Sequence, residues 1–321
     1  MIAVDQNVFH AFLAKQDEQR WAEVVDRLLP SVHPVDQLAT KIWFSFWPLR
    51  LARELQESKD TATTAKKLQL DGKYHLEEQL DSSVEYFLGS RYWSGVKRAI
   101  LDHAESAKPP EDSSLEQQIC SIATKVAVAK SVEESFVLGI TAVGVMSLQQ
   151  IGLSAFASSV GRSFESKNEK SAEQWLRTRN GGRRGLRGFL GLAGKTHRVT
   201  FDGNESDCAF QAMNGQDLSM ASSSDKRDYT NQDHRRIAGP IPAQCRSGAC
   251  GYCWIGVIGG KENISGITEF EKQRLRLFGY VSQESEVEKY PHVRLACQSK
   301  CYGNVSVVIP PWNGVLNGHK P

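Results

Sequence analysis

The sequence predicts an α+β protein, an all-α N-terminal region followed by a C-terminal domain built of strands and a helix. Three observations carry this. Apolar residues recur at helical spacing up to about residue 170. A run of glycine and basic residues then interrupts the pattern, and beyond it come short strand-like runs bounded by turn residues. The expected organisation is a helical docking domain over 1–176, a basic Gly-rich linker over 177–195 and a second domain over 196–321. A chain of 321 residues can bury a core in each part.

The helical elements follow in order. In DEQRWAEVVDRLL, Trp21, Val24, Val25 and Leu28 fall at i, i+3, i+4 and i+7, one stripe of an amphipathic helix. Pro30 and Pro34 end it, and the next helix starts near Asp36. The aromatic run IWFSFWPL (Ile42–Leu49) reads as a core-facing stripe capped by Pro48, the alternative being an exposed docking patch for another subunit. Further helices are expected near Lys73–Gly89, Tyr92–Ser106, Ser114–Ala129 and Val132–Val160, with Pro109 and Pro110 between the second and third of these. The last contains FVLGITAVGVMSLQQIGLSAFA (Phe136–Ala157), long enough to cross a bilayer. Gln149, Gln150, Ser147 and Ser154 lie inside it, so it reads as the central helix of a bundle rather than as a span.

Between Arg177 and Arg198 there are seven basic residues and no acid, with glycine at 182, 185, 188, 191 and 194. So much glycine cannot hold a free helix, and the stretch is expected to be a solvated linker. After it, THRVTFDG and NESDCAFQAM flank an Asp202-Gly203-Asn204 turn, a hairpin signal. A short helix is expected over Asp217–Ser223, a polar loop over Ser222–Gly239, a strand at Trp254–Ile258 and a strand at Asn304–Pro310. A helix opens at Thr268, where Thr268 and Glu271 have capping-box spacing.

Composition excludes little and favours little. With 40% apolar residues, 24% charged residues and a net charge of +2, nothing draws the chain as a whole to nucleic acid or to a lipid surface. Five of the seven cysteines fall after residue 240 in metal-ligand spacing, unlike a disulfide framework. The opening MIAVDQNVFHAFLAKQDEQRW is a poor signal peptide. A cytoplasmic location is expected, peripheral association with the inner face of a membrane being compatible with it.

Three cysteines stand together in QCRSGACGYCWIG (Gln244–Gly256), and RLACQ supplies Cys297 far downstream. The pattern Cys245-x4-Cys250-x2-Cys253…Cys297 is the ligand spacing of a plant-type [2Fe–2S] cluster. Two bridged irons need four thiolates in two pairs, so a loop wraps one side and a separate element closes the other. Ser247, Gly248, Ala249 and Gly251 are small enough for the loop to bend tightly and turn N–H groups toward sulfur. Such hydrogen bonds, with burial and charge, set the reduction potential. Arg246 reads either as a cation offsetting an anionic cluster or as a solvated arginine.

Residues 196–313 resemble a plant-type [2Fe–2S] ferredoxin domain, through HRVTF, PIPAQCRSGACGYC, TEFEKQRLRLFG and RLACQ leading into NVSVVIP. The resemblance implies a β-grasp fold and one [2Fe–2S] cluster held by Cys245, Cys250, Cys253 and Cys297. The chain departs from the small chloroplast ferredoxins in a longer interval from Cys253 to Cys297 and a larger loop before Cys245. It also departs in charge, with 14 basic and 13 acidic residues from Thr196 to Pro321 where the diffusible carriers are strongly acidic. The competing reading is a zinc site on Cys250, Cys253, Cys297 and Cys301. Under the iron–sulfur reading Cys301, Cys208 and Cys120 are ordinary thiols. His10, His33, His75 and His103 lack a second ligand at helical spacing, and His292 alone near Cys297 does not make a Rieske site.

The chain carries no G-x-G-x-x-G after a strand, no P-loop and no second cysteine cluster. With no flavin or nicotinamide signature it is not expected to act as an enzyme alone. The leading expectation is a one-electron transfer subunit with a potential near about −400 mV, docked through its helices on a larger redox complex of dehydrogenase, hydrogenase or reaction-centre type. The alternative is a redox-sensing regulator whose cluster state controls binding of a partner or nucleic acid. A cluster that only staples the domain is a third reading.

Overall fold

The computed structural model describes residues 7–106, 113–159, 171–179, 195–201, 208–280 and 288–313. Residues 180–194 of the expected linker and the Asp202-Gly203-Asn204 turn lie outside them. The chain is α+β, helices first and a sheet after. In order, the described elements begin with α1 (Val8–Ala14), α2 (Glu18–Leu28), α3 (Pro34–Phe46), α4 (Leu49–Gln56), α5 (Thr61–Lys67) and the short β1 (Asp71–Gly72). Then come α6 (Leu76–Gln79), α7 (Trp93–Ser106), α8 (Leu115–Lys130), α9 (Ser135–Ser158) and α10 (Ala172–Arg179). The remainder comprises β2 (Thr196–Thr200), β3 (Ala209–Met213), α11 (Leu218–Ser222), β4 (Trp254–Gly259), α12 (Glu269–Leu277), β5 (Val293–Leu295), β6 (Val305–Val308) and β7 (Trp312–Asn313).

The chain divides into two compact units, and neither is one continuous stretch. Met1–Gln56 joins His75–Glu169, and Glu57–Tyr74 joins Lys170–Pro321. Segment 57–74, which the sequence placed among the helices, thus belongs with the sheet, and so does α10. The helix α10 runs to Arg179, three residues into the stretch read as linker.

In the first unit the apolar stripes close on α9. Trp21, Val24, Val25 and Leu28 of α2 are buried, and so are Ile42, Trp43, Phe46 and Trp47 of the aromatic run. Among the described residues α9 is the one helix long and apolar enough to cross a membrane, and 72% of its apolar window is buried within the protein. Its glutamines explain their own presence. Gln149 accepts from Trp21 Nε1 at 2.6 Å and donates to the Gln16 carbonyl at 2.8 Å, while Gln150 donates to the Trp47 carbonyl at 2.8 Å. Each satisfies a backbone group that the apolar core would otherwise strand.

The helix expected over Lys73–Gly89 does not form. The strand β1 ends at Gly72, α6 covers only Leu76–Gln79, and short 3₁₀ turns follow. At the C-terminal end of the interval the backbone is committed to a buried carboxylate. Asp36 accepts the backbone N–H of Leu88 at 2.8 Å and of Gly89 at 2.7 Å, two donors a continuing helix would have committed elsewhere.

The second unit is built on a five-stranded mixed sheet of order β3-β2-β6-β4-β5. The strands β2 and β3 pair antiparallel as the hairpin signal required, β2 and β6 run parallel, and β4 is antiparallel to both β6 and β5. All six residues of β4 are buried, as a central strand covered on both faces demands. A separate two-stranded ladder joins β1 to β7, with Asp71 opposite Asn313 and Gly72 opposite Trp312.

Candidate metal centre

The four cysteines of the motif converge in pairs. Cys253 leads into β4 and Cys297 follows β5, and the register Trp254↔Leu295 sets them side by side. The Ala296 N–H donates to the Cys253 carbonyl at 2.8 Å and ties the two ends together. The Cys253 thiol donates to the Cys297 sulfur. That bond and burial push Cys253 well above the ordinary thiol range, and the same bond draws Cys297 down. Gln298 Nε2 lies 3.5 Å from the Cys297 sulfur. This pair is buried.

The second pair faces outward. Cys250 donates its backbone N–H to the Cys245 sulfur at 3.3 Å, and its thiol points the same way. Burial opposes ionisation of Cys245, but hydrogen bonds from the Ser247 side chain, the Cys250 thiol and the N–H groups of Cys250 and Ser247 outweigh it, bringing the thiol to about 6. Cys245 is exposed and Cys250 half-buried. The pairs also sense one another: negative charge on Cys245 raises Cys297, and charge on Cys250 raises Cys253.

Cys301 stands apart. Its thiol donates to the Gly303 carbonyl at 3.1 Å, and burial raises it without help from another cysteine. Cys208 precedes β3, and Cys120 lies on α8 in the other unit.

The loop between the pairs is held by one face of α12. Phe270, Arg274 and Phe278 stand four residues apart. Arg274 Nε donates to the Gly248 carbonyl at 3.1 Å, and its Nη2 donates to the Ala249 carbonyl. Gly248 and Gly251 have φ of +80° and +70°, and a Cβ at either would lie 2.8 Å from the ring of Phe270 or Phe278. Arg246 also takes a left-handed φ of 56°, which costs a side-chain-bearing residue about 1–2 kcal/mol. Its guanidinium turns outward and reaches Met220 Sδ at 3.3 Å.

Two further contacts fix the cysteine-bearing segments. Glu271 of α12 and Arg294 of β5 are both fully buried and pair at 2.8 Å through both oxygens. Glu271 also accepts the Leu295 N–H at 2.9 Å, and Arg294 donates to the Ser265 carbonyl at 2.8 Å. Thr268 caps the helix through the Glu271 N–H, but the Glu271 side chain does not return to complete the capping box. On the other flank Tyr252 donates its hydroxyl to Asp71, which also takes His234 Nε2 at 2.8 Å. Burial raises the Asp71 carboxyl, but these hydrogen bonds outweigh it and hold the carboxyl below its ordinary range.

Sequence reasoning missed Arg274, Phe278, Gln298 and Asp71. The i, i+4, i+8 spacing of Phe270, Arg274 and Phe278, beside the buried Glu271 and Leu275, was the available signal for the helix face. Nothing in the sequence pointed to Asp71.

No three His, Cys, Asp or Glu side chains among the described residues are placed to hold one metal ion. A tetrahedral zinc site needs four sulfurs about 2.3 Å from a single point. The four cysteines of the motif stand as two thiol pairs, Cys245 with Cys250 and Cys253 with Cys297. Comparison with protein-family models, with curated proteins and with solved structures found no match.

Proposed function

We propose that residues 196–313 form a β-grasp domain of the plant-type [2Fe–2S] ferredoxin kind, holding one cluster on Cys245, Cys250, Cys253 and Cys297. The mixed sheet with α12 beside it supports the fold. The observation that carries the site is the split of the thiols into an inner pair, Cys253 with Cys297, and an outer pair, Cys245 with Cys250, with Cys301 in neither. When bound, such a cluster takes up and releases one electron at a time.

The chain's own residues supply the rest. Cys253 and Cys297 are shut from water by the sheet, which raises the cost of charge there. Small residues at 247–251 keep the loop close, and Arg274 fixes its carbonyls away from the sulfurs so that N–H groups face them. The outer pair lies at the surface, so an electron enters or leaves on that side. We assign the chain as a one-electron transfer subunit in a cytoplasmic setting, its helical unit docking it on a larger oxidoreductase complex.

Anaerobically prepared protein should contain two irons and two acid-labile sulfides per chain, with visible absorption bleached by dithionite. Replacing Cys245 with serine should abolish that absorption while Cys301→Ser retains it. Colourless protein that binds zinc, with Cys301→Ser as damaging as Cys250→Ser, would overturn the assignment.

A further inference from the structure

The outer thiol pair lies within a surface of distinct chemistry. Cys245 is exposed, and the loop around it, Gln244–Ala249, carries one charge, Arg246, and no acid. Arg246 Nη1 rests on Met220 Sδ at 3.3 Å, which places α11 on one side of the thiol. On the other side, Phe270 packs over Gly248, and Arg274 crosses the carbonyls of Gly248 and Ala249. Met220 and Phe270 are 42% and 45% exposed, large apolar side chains left in water. Of the two acids flanking Phe270, Glu269 is paired with Lys272 at 2.6 Å and Glu271 is buried against Arg294. The rim therefore combines two apolar contacts with two arginines around an exposed cysteine.

We propose that this rim is the docking surface for a redox protein whose own entry face is acidic. The inference rests on the electron-transfer reading above. Apolar anchors with a polar surround are what a short-lived interface uses, and the sign of the surround selects the partner. Arg246 and Arg274 would meet carboxylates, while Met220 and Phe270 exclude water between the centres. Cys245, Cys250, Cys253 and Cys297 would hold the cluster, which when bound and reduced would supply one electron to the partner's acceptor. No atom or proton moves.

The test uses two one-electron haem carriers of opposite charge, acidic cytochrome b5 and basic cytochrome c, each presented oxidised to the dithionite-reduced full chain after removal of excess reductant. Stopped-flow absorbance follows reduction of haem iron(III) to iron(II). The rate constant with cytochrome b5 should fall about tenfold or more between roughly 0.02 M and 0.5 M NaCl, because opposite charges that steer encounter are screened. With cytochrome c it should rise or stay level. Arg246→Glu, its cluster absorption intact, should slow cytochrome b5 about five- to tenfold at low salt and speed cytochrome c. Wild-type rates that are insensitive to salt, or that favour cytochrome c at low salt, overturn the docking surface while leaving the cluster in place. Protein that binds no iron overturns the electron-transfer reading, and this surface with it.

Discussion

Tyr252, between two of the cysteines, donates its hydroxyl to Asp71, 181 residues earlier in the chain. That bond and burial push the tyrosine up to about 12. The contact joins the cysteine loop to a segment outside the strand-rich part of the sequence. Tyr252→Phe should lower the stability of the sheet-containing unit by about 1–2 kcal/mol, the worth of a half-buried hydrogen bond to a charged acceptor. A urea titration would show an earlier midpoint with an unchanged slope, and an unmoved midpoint would mean the contact holds nothing.

Glu271 and Arg294 present a sharper case, since neither touches water. Glu271→Ala leaves a buried guanidinium without its counter-charge and should cost about 3–5 kcal/mol. The double variant Glu271→Leu, Arg294→Met should recover much of that loss, because no lone charge is left in the interior. Thermal denaturation of the two variants side by side decides it.

Gly251 allows a direct steric test. Alanine there meets both a left-handed backbone and the ring of Phe278, so Gly251→Ala should destabilise the unit by about 2–4 kcal/mol. Gly266, whose added Cβ would find nothing nearer than 3.5 Å, is the control. Gly266→Ala should leave the denaturation midpoint close to that of the wild type.

His103 governs a pH response in the helical unit. Burial lowers its pKa, against a hydrogen bond that its Nε2 donates to Gln118 Oε1, which raises it, and a smaller lowering by Lys125. The unfolded chain, with the ordinary value near about 6.5, then binds a proton more readily than the folded one. The stability His103 supports is whole above that pH and is lost as pH falls toward its depressed folded value. Melting temperature should therefore drop between pH 7.5 and pH 5.5, and His103→Asn should flatten that drop. A wild-type protein equally stable at both values would contradict this.

The helices were legible where a stripe and a cap coincided, as in α2 with Trp21, Val24, Val25 and Leu28, and in α8 behind Ser114. At the end of the interval 73–89, Asp36 of α3 claims two backbone donors from outside the segment. Local periodicity cannot register such a partner. The cysteine spacing named four thiols, and the loop and the register Trp254↔Leu295 set them in two pairs. It did not tell which residues brace them. Arg274 and Arg294 have the composition of any surface helix or strand, and only the fold reveals that one carries the loop and the other is buried. Asp71 was invisible for the simplest reason, its partner lying in another part of the chain.

The ladder of Asp71–Gly72 with Trp312–Asn313 has a consequence for biosynthesis. At about 5–20 residues per second a ribosome needs roughly ten seconds or more to progress from Asp71 to Tyr252, and longer still to reach Asn313. Throughout that interval the early segment has no strand to pair with and its aspartate has no tyrosine. The cysteine loop that carries Tyr252 therefore gains this brace only long after Asp71 has been made.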